Sequence, residues 1–280
     1  QGQGIDRDII VVTDNDRFLS DYIENGWAQK LDKSLIPNIK NLIPAQASPP
    51  FDPKREYTLP WFSGMDGIAW NSKVTGPVTT VTQLLEDPKL KGRVGVWSQM
   101  GDTLGLVMLE NGDDPAKVTD ESFDRAMTKI EKAVQAGQIR NFYGNDYASP
   151  LQRGDLAASM AWSGDIVNLG DPKLKWAIPK SGGIIWTDNM LIPTGGSVPT
   201  ASTYMNFVYD PNIAAQLALG ANYISSVTGV KDEAAKLNPD AVDNTLVFPT
   251  DAMLGQMHQN DPTMFANPDY TKRWLAVQGK

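Results

Sequence analysis

The sequence predicts an α/β fold with largely parallel sheets. Short apolar runs suited to strands alternate with segments of helical periodicity, the order that builds sheets covered by helices. The length of 280 residues leaves room for one large domain or two lobes with real cores. The hydrophobic share of 41% and charged share of 21% are ordinary for a soluble globular chain. No apolar run reaches the ~18 residues that a membrane span needs.

The elements follow in order. "DIIVV", Asp8 to Val12, reads as a buried strand; the turn-like "TDND" comes next, then a helical pattern to about Gly26. Residues 44–60 are rich in Pro and polar groups and read as a long surface loop. "MDGIAWN", Met65 to Asn71, reads as a strand, and "TTVTQLLEDPKLKG" as a short helix closed by Pro88. "RVGVW", Arg93 to Trp97, is a further strand, followed by a helix that ends at Gly112. The clearest helix is "TDESFDRAMTKIEKAVQAG". Thr119 or Asp120 caps it, Gly137 ends it, and Phe123, Met127, Ile130 and Val134 form one apolar stripe. "LAASMAW", Leu156 to Trp162, is a strand of small residues for a crowded interior. In "DPNIAAQLALG", Asp210 caps a helix, Pro211 takes its first position and Gly220 stops it.

Composition narrows the chemistry. Against 33 Asp+Glu stand 25 Lys+Arg, a net charge of −8, which argues against nucleic acid or an anionic membrane as the main partner. The absence of cysteine removes disulfides, thiolate catalysis and Cys-based metal sites. His258 is the single histidine, so Ser-His-Asp, Cys-His and His-based zinc sites fall away, and His258 reads as a surface or packing residue. There is no G-x-S-x-G elbow, P-loop or G-x-G-x-x-G. The "GQG" at the N-terminus follows no strand, and Gln1 to Asp6 lack the basic flank and apolar core of a signal peptide. "TDND" lacks the glycine and distal glutamate of a calcium loop and reads as a helix cap. A hydrolase using a carboxylate pair stays open, although no spacing selects a pair.

Three stretches stand out. In "IIWTDN", Trp186 and Asp188 lie two apart in an extended run and share one face. An indole beside a carboxylate suits an organic ammonium: the ring attracts the cation and the carboxylate accepts its N–H bonds. A half-buried Trp beside a turn Asp would look the same. "AWSGDIV" places Trp162 at a strand end and Asp165 at a helix start, and "SQMGDTLGL" places Asp102 at another helix start. Asp at a helix start is most often a cap. Strand ends and helix starts are also where open α/β sheets bind ligands.

With these residues in view, the chain resembles the periplasmic polyamine-binding proteins, the spermidine/putrescine receptors of ABC importers. The landmarks are "GWAQKLDKSLIPNIKNL", "PFDPKREYTLPWFSGMDGIAWN", "AASMAWSGD", "PKSGGIIWTDNMLIP" and "NFVYDPNIAAQLA". The resemblance implies a two-lobe periplasmic binding protein fold of type II, with mixed sheets flanked by helices and a ligand cleft between the lobes. Residues 1–68 and 185–230 would form the first lobe; 72–182 and 234–280 the second. Trp162 and Trp186 match aromatic walls of the family's site, Asp188 its central amine-binding carboxylate, Asp102 an acid for a terminal amine, Tyr223 a cleft tyrosine and Thr13 a hydroxyl residue; Asp165 joins the set as a further acid. The family's first strand, with its aromatic pair, and the next βα unit have no counterpart, which implies part of something longer. Gln99 stands where a second acid is common, and Asn15 where an aromatic is usual. These departures suit γ-aminobutyrate, bound by some relatives, with Arg17 or Arg140 as a carboxylate partner. The expected protein is a monomeric periplasmic receptor that passes a small amine or amino acid to a membrane ABC permease. It would catalyse nothing, need no cofactor or metal, bind no nucleic acid and insert in no membrane.

Overall fold

A computed structural model describes residues 6–15 and 17–280. The readings of the extreme N-terminus and of Asp16 lie outside the described residues. Two compact units emerge. The first takes the chain through Ser63 and again over Trp186–Pro249; the second comprises Gly64–Ile185 and Thr250–Lys280. Residues 234–249, expected in the second lobe, therefore belong with the first unit. The reason is packing. Helix Val230–Leu237 buries Val230 and Ala234 in the same apolar cluster as Ala214, Ala215 and Ala218 of helix Pro211–Ala221.

In the first unit, strand Ile10–Thr13 runs antiparallel to strand Gly183–Pro193, with Ile10 opposite Leu191 and Thr13 opposite Asp188. Leu59, Met190, Ile192, Ala201 and Met205 form much of the core. Tyr209 is buried in that core and donates its hydroxyl to the Pro60 carbonyl at 2.7 Å. Helix Phe18–Glu24 starts at Arg17 without a side-chain cap, so the cap expected from "TDND" is not supplied by its described residues. Residues 44–60 depart from a surface loop. Asp52 is buried and accepts the N–H groups of Glu56, Tyr57 and Thr58 at 2.8, 2.9 and 2.9 Å. The next strand then begins at Thr58 and runs to Asn71. Helix Pro211–Ala221 keeps its Asp210 cap but passes Gly220 and ends at Asn222, which takes the left-handed turn at φ 58°.

In the second unit, strands Ile139–Tyr143, Val94–Trp97 and Ala158–Trp162 lie side by side in parallel. The later part of strand Thr58–Asn71 joins antiparallel between Ala158–Trp162 and Leu174–Ala177. Parallel pairing is thus less general than expected. It needs a crossover between strands, which helices Met100–Asn111 and Asp120–Gln135 provide between Val94–Trp97 and Ile139–Tyr143. Thr119 caps the longer helix in a reciprocal box with Ser122. Phe123, Met127 and Ile130 are buried, and so are Ala158, Met160 and Ala161.

Candidate functional site

In the first unit, the candidate site forms on strand Gly183–Pro193. Thr187 and Asn189 are buried, whereas Trp186 and Asp188 between and beside them stay partly open on the other face. The buried row is pinned. Thr187 Oγ1 lies 2.8 Å from Ser63 Oγ and accepts from Gln46 Nε2 at 3.1 Å. Asn189 Oδ1 accepts from Arg55 Nη1 at 2.8 Å, and its amide donates to the Thr187 carbonyl at 2.9 Å. The strand cannot slip without breaking this set, so Trp186 and Asp188 are held in position. Tyr223 follows the left-handed Asn222, and its ring lies 5.6 Å from that of Trp186, tilted by 55°.

Thr13 faces Asp188 across the strand pair. Its hydroxyl accepts the N–H of Asn15 at 3.2 Å, and Asn15 is buried. Asp14, between them, was not singled out by the sequence. Its N–H donates to the Thr187 carbonyl at 2.9 Å, and its Oδ1 accepts the Thr187 N–H at 2.7 Å. Burial pushes the Asp14 carboxyl up to about 7. The negative Asp188 adds to the rise, while the Thr187 N–H and Arg55 oppose it. Burial alone pushes Asp188 up to about 6. The signal for Asp14 was its place at the end of the "DIIVV" strand, but an Asp before a helix reads first as a cap.

Arg55 is buried, and its guanidinium donates to the Gln46 carbonyl, Thr58 Oγ1 and Asn189 Oδ1 at 2.6–2.9 Å. Its burial lowers its pKa to about 10. Arg17 is spent on its own helix, with Asp21 at 2.7 Å and Glu24 at 3.4 Å.

In the second unit, Trp162 and Gln99 stand at the carboxyl ends of adjacent parallel strands, each beside the start of a helix. Trp162 is buried. One face stacks on Trp97 at 5.1 Å between centroids, and Tyr147 meets it edge-on at 5.9 Å. The Tyr147 hydroxyl accepts the Trp162 N–H at 3.0 Å and donates to Asp165 Oδ2 at 2.9 Å. Asp165 therefore orients Tyr147, which in turn fixes the backbone at Trp162. Asp102 is buried in the first turn of helix Met100–Asn111, where the helix N-terminus favours a negative charge. Gln99 is exposed and accepts from Ser98 Oγ at 3.3 Å. Arg140 is exposed and donates to the Asp155 carbonyl at 3.2 Å. Trp97 and Tyr147 escaped the sequence reading because a Trp or Tyr in an apolar run carries only a packing signal. His258 is exposed on a short strand segment paired with Ile184.

A family model described as bacterial extracellular solute-binding protein matches residues 2–248. The chain is 24% identical over 231 residues to the spermidine/putrescine-binding periplasmic protein of Escherichia coli (strain K12), which covers 81% of this chain and 65% of that protein. The chain thus spans about two thirds of that relative's length. Among solved structures, the Tp0655 (TpPotD) lipoprotein of Treponema pallidum superposes with a TM-score of 0.84 at 20% identity, over 100% of this chain and 86% of that one. The Atu4243–GABA receptor structure matches with a TM-score of 0.76 at 19% identity, over 99% of this chain and 82% of that one. At these identities the solved structures carry the fold.

Proposed function

The chain belongs to the bacterial extracellular solute-binding proteins, and from that membership we propose that it is a periplasmic receptor, not an enzyme, that delivers a small amine to a membrane ABC permease. The ligand proposed is a polyamine such as putrescine or spermidine. One observation carries this reading: Asp188, a carboxylate raised by burial alone, shares a strand face with Trp186, whose ring neighbours Tyr223. A desolvated carboxylate is completed by a cation, and aromatic faces suit both an ammonium and the methylenes that follow it. In the second unit, Trp162 and Asp102 are the proposed contacts, with Gln99 beside them. The similarity to a spermidine/putrescine-binding periplasmic protein of Escherichia coli supports a polyamine.

The alternative ligand is γ-aminobutyrate, supported by the GABA receptor among the structural neighbours and by Gln99 in place of a second acid. It needs a donor for its carboxylate. Arg17 and Arg140 are engaged within their own units, and the donors of Arg55 go to Gln46, Thr58 and Asn189. These contacts favour the polyamine. Calorimetric titration with putrescine and with γ-aminobutyrate tests the choice. Saturable putrescine binding, with γ-aminobutyrate unable to displace it, is expected. Tight γ-aminobutyrate binding without putrescine binding overturns the polyamine.

A further inference from the structure

Strands Ile10–Thr13 and Gly183–Pro193 pair antiparallel, with Thr13 opposite Asp188. The next pair in that register is Asp14 and Thr187, and the Asp14 N–H donates to the Thr187 carbonyl at 2.9 Å. In an antiparallel ladder such a pair returns a second bond, from the Thr187 N–H to the main-chain carbonyl opposite. Here the Asp14 side chain takes that place: its Oδ1 accepts the Thr187 N–H at 2.7 Å. The chain then turns away, with the Asn15 N–H donating to Thr13 Oγ1 at 3.2 Å.

One residue thus grips two peptide units. The Thr187 N–H belongs to the peptide that follows Trp186, and the Thr187 carbonyl to the peptide that precedes Asp188. Each unit is planar, so holding its N–H or C=O fixes the direction in which the neighbouring Cα presents its side chain. Asn189 adds a second donor on the same carbonyl at 2.9 Å, whereas Asp14 holds the N–H and the carbonyl together.

Resting on the amine-receptor reading above, we propose that Asp14 is a positioning residue of the amine site: its carboxylate clasps Thr187 and thereby sets the directions of Trp186 and Asp188, without touching the ligand itself. The role depends on where an acceptor oxygen sits rather than on its charge. Asn places an amide oxygen at the same point. Glu keeps the charge but carries it one methylene too far, and Ala removes the acceptor.

Two measurements test it. The first needs no ligand: amide hydrogen exchange of the purified protein, read by NMR. Exchange of the Thr187 N–H should quicken about tenfold or more in Asp14→Ala and stay within about threefold of wild type in Asp14→Asn. A Thr187 amide that exchanges alike in Asp14→Ala and wild type overturns the clasp. The second is calorimetry with putrescine on the folded variants. Affinity should fall about tenfold in Asp14→Ala and Asp14→Glu, and stay within about threefold of wild type in Asp14→Asn. Tyr209→Phe, which removes the bond to the Pro60 carbonyl in the core of the same unit, should lower the unfolding midpoint and leave affinity unchanged. An equal loss of affinity in Tyr209→Phe would reduce Asp14 to a general stabiliser and overturn the proposal. Wild-type affinity in Asp14→Glu with a loss in Asp14→Asn would make Asp14 a charge partner of the ligand and also overturn it. If Asp14→Ala does not fold, the comparison of Asn with Glu decides. If putrescine does not bind the wild type, the polyamine reading fails and exchange at Thr187 alone decides the clasp.

Discussion

Trp162 lies stacked on Trp97, with ring centroids 5.1 Å apart and planes 21° apart. Both rings close the carboxyl ends of their strands. Trp97 is fully buried, so it supports the back of an indole whose remaining surface is the proposed ligand contact. Replacing a buried aromatic by Ala typically costs about 3–5 kcal/mol. Trp97→Ala should lower the denaturant midpoint by that order and weaken putrescine binding. Trp97→Phe should keep most of the stability while still loosening Trp162. An unchanged unfolding midpoint in Trp97→Ala would deny Trp97 its supporting role.

Tyr147 makes its case through one hydroxyl. It accepts from the Trp162 N–H and donates to Asp165. Tyr147→Phe keeps the ring and leaves a buried N–H without its acceptor, which typically costs about 1–3 kcal/mol. The expected result is a lower unfolding midpoint with a smaller effect from Asp165→Asn, which spares the Trp162 bond. Equal effects of the two variants would contradict this division.

Asp188→Asn tests the amine seat. Removing one partner of a buried charged pair typically costs about 2–5 kcal/mol. Putrescine affinity should fall well over tenfold, while the circular dichroism spectrum stays the same. Unchanged affinity would place the ligand elsewhere.

Stability should also depend on pH with a definite sign. Asp14 and Asp188 titrate higher when folded than their ordinary value of 3.8. The folded chain therefore holds more protons, and the stability they contribute is complete below about pH 4 and is lost as pH rises through about 7. Asp14→Asn removes its share, and its amide oxygen can still accept the Thr187 N–H. The variant should gain on the ligand-free wild type at pH 8 relative to pH 4, by up to about 4 kcal/mol. Chemical unfolding at the two pH values reads this directly; a gain at pH 4 instead would reverse the sign.

Arg17 is the control. Its contacts with Asp21 and Glu24 are on the surface of its own helix, where ion pairs matter little. Arg17→Ala should change neither putrescine affinity nor the preference over γ-aminobutyrate, as measured by competition.

What could be read from the chain alone were the features set by neighbours in sequence. The two-residue period of an extended run puts Trp186 and Asp188 on one face, and the caps at Thr119 and Asp210 need only the first turn of each helix. Landmark stretches along the chain pointed to the family for the same reason: they are local patterns. Other features depend on residues far apart. Asp14 becomes an acid of interest only when Thr187 and Asp188 arrive beside it. Arg55 looks like a loop residue until Asn189 meets it, 134 positions away. Tyr147 acquires a role only through Trp162 and Asp165. Residues 230–237 join the first unit because their apolar face finds the alanines of helix Pro211–Ala221. Register and burial decide these, since desolvation and hydrogen bonding act on whatever the fold brings within a few ångströms, and sequence spacing does not encode that distance.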